Sequence, residues 1–172
     1  MKILFTDLLC PKGHMDTNKY FVETLSNMRY KIDILWQEHY MKKEVTKWIA
    51  NETVTRFFGI RDSLYRYSNK LDIRTKNLVK LRTLQKHLTE NEYDFCYISS
   101  FETVSMGFIN KFKLPVILHA HNNIEEIRNS TVKRVIFMRL HKKNIALLTY
   151  EPFMKEYLES IGFVGNSFCL RH

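Results

Sequence analysis

Residues 145–163, IALLTYEPFMKEYLESIGF, hold a strand and a helix in immediate succession. Ile145 to Thr149 is short, nearly continuous in apolar residues and bounded by polar ones, the pattern of a strand covered on both faces. Pro152 suits a first helical position, where its missing N–H costs nothing and its fixed φ is already helical. The helix it opens runs through Ile161, and Gly162 stops it, because glycine accepts the left-handed conformation that ends helices.

The same rhythm extends towards the start of the chain. Ile3 to Thr6, Ile32 to Trp36, Phe95 to Ile98 and Val116 to His119 are strand-like runs, with Thr53 to Phe58 a sixth and Ser167 to Leu170 a seventh. Between them, Phe21, Val22, Leu25 and Met28 recur at helical spacing from Thr17 to Met28. Arg61 to His87 carries Leu64, Tyr67, Leu71, Leu78, Leu81 and Leu84, with a break expected near Ser68 to Asp72. Phe101 to Phe112 and Thr131 to His141 complete the helices. Alternation of this kind predicts an α/β fold: a single Rossmann-like, doubly wound parallel sheet of about six or seven strands with helices on both faces. No Pro/Gly-rich linker or repeat divides residues 1–172, which read as one domain.

The 172 residues are 45% hydrophobic and 26% charged, enough apolar material for a core and unlike a disordered segment. Lys plus Arg number 27 against 18 Asp plus Glu, so 27 − 18 gives a net charge of +9 and an anionic partner is expected. Cys10, Cys96 and Cys169 show no CxxC pairing, which suits a reducing compartment. The first residues are too briefly apolar for a signal peptide, and no run approaches the ~20 apolar residues that cross a bilayer. The expected location is cytoplasmic, with any membrane contact peripheral and on the inner face.

In an open parallel sheet, ligands bind beyond the carboxyl ends of the strands, near the point where strand order reverses. After the first run, Pro11, Gly13 and His14 precede a helix, and Gly13 either lets backbone amides approach an anion or serves as an ordinary turn glycine. Neither GxGxxG nor GxxxxGK[ST] occurs, so no nucleotide-phosphate cradle is indicated. After Phe95 to Ile98, the stretch SSFET supplies Ser99, Ser100 and Glu102, hydroxyls and a carboxylate that bind a ligand or cap the following helix. After Val116 comes HAHNN: His119 packs within the strand, while His121 and Asn122 emerge at its carboxyl edge, where an imidazole hydrogen-bonds a substrate hydroxyl or phosphate. A metal would need a third ligand from His14 or Glu102, more than a lone HxH announces, so no metal is assigned.

The segment from Met41 carries Met41, Val45, Trp48 and Ile49 at helical spacing, with Lys42, Lys43 and Lys47 on the other side. Arg61 and Arg66 extend the charge. A basic face beside aromatic residues suits an anionic membrane surface or another anionic partner; equally, the apolar stripe is core and the lysines are its solvated cover. Nucleic acid is disfavoured, since no helix-turn-helix, zinc finger, KH or RNP pattern accompanies the charge. The alternative to an enzyme is a basic α/β module that binds nucleic acid or protein without catalysis.

The order KILFTD, PKGH, NKYFVETL, IDILW, EYDFCYISS, KLPVILHAHNN and IALLTYEPFMKEYLESIGF resembles the N-terminal, acceptor-side domain of a GT-B glycosyltransferase of the family 4 kind. The matching residues are Gly13, Asp94, Pro115, His121, Thr149, Lys155, Leu158 and Gly162; His14 replaces the family's second glycine and Asn122 its usual aspartate. The resemblance implies hexosyl transfer from a nucleotide-sugar to a glycan, lipid-linked or phosphorylated acceptor. Gly13 and His14 would then border acceptor and donor diphosphate, and His121 would hydrogen-bond the transferred sugar as the catalytic residue. It implies no resident cofactor, the nucleotide-sugar being the substrate of the complete enzyme. It further implies that the C-terminal donor-binding domain is absent from these residues, leaving them inactive alone.

Overall fold

Seven short strands rich in Ile, Leu, Phe and Val lie side by side: β1 (Lys2–Thr6), β2 (Lys31–Gln37), β3 (Arg56–Ile60), β4 (Phe95–Ile98), β5 (Val116–Ala120), β6 (Ile145–Thr149) and β7 (Asn166–Cys169). The computed structural model describes residues 1–7, 15–37, 45–60, 73–100, 109, 111–120, 127–140, 145–150, 152–161 and 166–169. The sheet has the order β3-β2-β1-β4-β5-β6-β7, and every neighbouring pair is parallel. From β1 the chain winds outward through β2 and β3, then returns to the other side of β1 with β4. Strand order therefore reverses between β1 and β4.

Four helices with both ends described accompany the sheet: α1 (Met15–Asn27), α2 (Ile73–Glu90), α3 (Thr131–Leu140) and α4 (Pro152–Ser160). Alternation along the strands sorts the core into two layers. Ile3, Phe5, Ile32, Ile34, Trp36 and Tyr97 face α1, meeting Phe21 and Val22. Leu4, Leu35, Ile98, Leu118 and Leu147 face the other way, against Leu81 and Leu84 of α2 and Met154 and Leu158 of α4. Helices thus cover both faces, and each fully buried aliphatic side chain stabilises the fold by about 1.5–3 kcal/mol.

Two sequence expectations shift. The Thr53–Phe58 run becomes a strand three residues later, at Arg56–Ile60. Thr53 and Val54 instead donate their amides to the Trp48 carbonyl, closing a helical segment at residues 45–50, and pairing starts where Arg56 stands opposite Asp33. The second concerns Trp48, which is 5% exposed and packs with Val45 in the α1-side core, while Ile49 is left 43% exposed. Of the stripe's described residues Val45 and Trp48 are therefore core, and the Trp48 ring is not offered to a membrane. Of the long Arg61–His87 helix, the part from Ile73 is helical and continues to Glu90; the expected break lies outside the described residues, as does most of Phe101–Phe112.

One charged cluster braces the sheet. Asp33, fully buried in mid-strand, accepts from Arg56 Nη2 at 2.7 Å and from the Tyr93 hydroxyl at 2.9 Å, with Lys2 Nζ 3.5 Å away. These groups join β1, β2, β3 and the segment after α2. The Tyr93 proton is committed to Asp33, so at the 2.8 Å contact between Tyr93 and His87 Nε2 the imidazole donates.

Candidate functional site at the switch point

The residues that leave β1 and β4 meet at the carboxyl edge of the sheet. Thr6 Oγ1 donates to the Leu35 carbonyl at 2.7 Å, and the Ser99 amide donates to the Thr6 carbonyl at 2.9 Å, carrying the ladder one residue beyond β4. Asp7 follows, only 3% exposed. One of its carboxylate oxygens accepts from Asn18 Nδ2 at 2.7 Å and the other from Ser100 Oγ. Asn18 lies in the first turn of α1, where the helix dipole favours a nearby anion. The buried carboxylate thus ties the β1 exit to α1 and to the β4 exit.

Beside this cluster, on the α1 face, runs a row of rings. Phe5 stacks on Tyr97, centroids 5.2 Å apart with an interplanar angle of 8°, and touches Trp36 on the other side at 6.3 Å. Phe21 of α1 meets Tyr97 at 5.5 Å and His119 edge-on at 5.0 Å. His119 in turn lies 4.3 Å from Tyr150 and 3.3 Å, Nδ1 to hydroxyl, from Tyr97. Burial pushes the Tyr97 and Tyr150 phenols upward, a hydrogen bond with Thr17 partly opposing this at Tyr150. Both therefore remain neutral phenols, able to donate and accept.

The residues singled out from sequence are placed as follows. Ser99 sits at this edge, buried. Lys47 is exposed on the segment that buries Trp48. Gly13, His14, Glu102, His121, Asn122, Lys42, Lys43, Arg61 and Arg66 lie outside the described residues. Sequence reasoning passed over Asp7, Asn18 and the ring row. The signal for Asp7 was its position, the first charged residue after the first apolar run. Among the described residues no group of three or more His, Cys, Asp or Glu is arranged to hold a metal ion, and no helix is long and apolar enough to cross a membrane.

A groove of about 380 Å³ lies at the opposite edge, lined by Met1, Phe95, Pro115, Ile117 and Ile145 at the amino ends of the central strands. It is mostly apolar and remote from the switch point.

No protein-family model and no curated protein matches the sequence. Solved structures do resemble the fold. UGT73P12 of Glycyrrhiza uralensis, crystallised with glycyrrhetinic acid 3-O-monoglucuronide, superposes with a TM-score of 0.68 at 8% identity over 99% of this chain and 48% of its own. Anabaena Alr3699/HepE, in complex with UDP and glucose, gives a TM-score of 0.58 at 11% identity over 98% of this chain and 44% of its own. The chain spans about half the length of these structures. At such identities the likeness shows the fold alone: this chain shares the Rossmann-like α/β architecture of about half of each of these structures.

Proposed function

We propose that the chain is the acceptor-binding lobe of a family 4-like glycosyltransferase that moves a hexosyl group from a nucleotide-sugar to a glycan or lipid-linked acceptor. The observation that supports this most is the match of nearly its whole length to about half of two proteins, one crystallised with a glucuronide and the other with UDP and glucose. The polar carboxyl edge at the strand reversal agrees with it.

On this reading Ser99, Glu102, Gly13, His14 and Asn122 surround the acceptor, and His121 hydrogen-bonds the transferred sugar. A second lobe supplies the nucleotide-sugar and closes the cleft. Without it the reacting groups are not held together, and positioning effects of about 7–11 kcal/mol are lost. The lysines at 42, 43 and 47 and the arginines at 61 and 66 draw the lobe to an anionic, cytoplasm-facing membrane where a lipid-linked acceptor resides.

The test is sugar transfer by the chain mixed with a separately supplied donor-binding domain. The expected result is transfer by the pair, none by either part, and loss with His121→Ala. Undiminished transfer by the His121→Ala variant overturns the site; turnover by the chain alone overturns the lobe assignment.

A further inference from the structure

Buried polar atoms with no hydrogen-bond partner are rare in folded proteins, because each gives up hydration for nothing. Among the described residues, Trp36 Nε1, Asn18 Oδ1 and Ser99 Oγ are such atoms, and all three residues are 0% exposed. Their residues stand at the carboxyl ends of three neighbouring strands or on the helix tied to them. Trp36 is near the carboxyl end of β2, Ser99 directly follows β4, and Asn18 hangs on Asp7 at the end of β1, the strand between those two. With adjacent strands about 4.8 Å apart, the row is about 10 Å wide. It lies along the edge where strand order reverses.

The chemistry of these atoms narrows what completes them. The Trp36 indole only donates. Asn18 Oδ1 only accepts, its amide nitrogen being committed to Asp7, and Ser99 Oγ does both. A phosphate or carboxylate brings acceptors that confront Asn18 Oδ1 and the Asp7 carboxylate. An apolar tail satisfies none of the three. Hydroxyl groups, each both donor and acceptor, satisfy them all.

We propose that this row is a subsite for the neutral hydroxyl groups of a sugar. The inference rests on the acceptor-binding reading and sharpens it: the hydroxylated part of the acceptor is held here, and any phosphate it carries is held elsewhere. Because the row is 0% exposed, a hydroxyl or hydroxymethyl arm reaches it only as the side chains around it move aside, with the sugar ring remaining outside.

Saturation-transfer NMR on the 172-residue chain tests this with the methyl glycosides of glucose, galactose and mannose, and with inorganic phosphate as competitor. At least one glycoside binds the wild-type chain, and phosphate does not displace it. Ser99→Ala and Trp36→Phe each weaken that binding about fivefold. The thermal midpoint of Ser99→Ala stays level or rises, because the variant loses an unsatisfied buried hydroxyl. Displacement by phosphate overturns the subsite, as does a lowered Ser99→Ala midpoint, which would mean that a structural water already satisfied the hydroxyl. Glycoside binding unchanged in both variants removes the subsite but leaves the acceptor lobe standing. No glycoside binding by the wild type overturns both. Failure of transfer with a supplied donor domain, alongside Ser99-dependent glycoside binding, overturns only the transferase reading.

Discussion

The Tyr97 hydroxyl and His119 Nδ1 stand 3.3 Å apart on adjacent strands β4 and β5, both side chains buried beneath Phe21 of α1. The contact fixes the imidazole from one side while Tyr150 packs against its ring at 4.3 Å. Tyr97→Phe removes the hydroxyl and keeps the ring that stacks on Phe5. Urea denaturation should show a loss of about 1–2 kcal/mol, a buried hydrogen bond without compensation. An unchanged midpoint would mean that this contact contributes nothing.

His87 gives the stability a pH dependence. Burial lowers its pKa, with Arg56 and Lys2 acting the same way and Asp33 and Glu90 opposing. The unfolded chain therefore binds the His87 proton first as pH falls. Its contribution is intact above the ordinary imidazole value of 6.5 and declines as pH drops below it towards the folded value. Denaturation between pH 7.5 and pH 5 should show stability falling in the wild type and falling less in His87→Gln. Equal slopes would refute the assignment.

Cys96 is fully buried and burial raises its thiol, whereas Cys169 is partly exposed on β7. Since the thiolate is the reactive form, iodoacetamide should label Cys169 in the native protein and Cys96 only after unfolding, read by peptide mass spectrometry. Native labelling of Cys96 at the rate of Cys169 would contradict the burial.

Trp48 and its neighbouring lysines should separate in their effects. Trp48→Ala opens the α1-side core and should destabilise the protein by about 3–5 kcal/mol. Lys42, Lys43 and Lys47 changed together to Gln should leave stability nearly unchanged and weaken sedimentation with anionic vesicles by about 1 kcal/mol per residue. Equal binding of the wild type to neutral and anionic vesicles would dismiss electrostatic recruitment.

Much of the sheet could be read from the chain because its signals are local. The runs at Ile32, Phe95, Val116 and Ile145 became strands at those positions, and Pro152 opened α4. β3 slipped because its start is decided by a distant partner, Asp33, and by the amides that residues 53 and 54 give to Trp48. The lone charge within IDILW did hold a clue, since an acid in the middle of a buried strand needs cations nearby. Asp7 escaped for a related reason. Its partners lie 11 and 93 residues away, and no short pattern joins them. The position of Ser99 directly after β4 was legible from the apolar run before it.

The Asp7–Ser100 bond spans 93 residues. If β1 leaves the ribosome first, one of its edges waits, at about 5–20 residues per second, several seconds for β4 to arrive. Until then Ile3, Leu4 and Phe5 have β2 alone beside them, an apolar ribbon open to foreign strands. Closure of that carboxylate latch is thus also the moment when the open edge of β1 stops being a hazard to its neighbours.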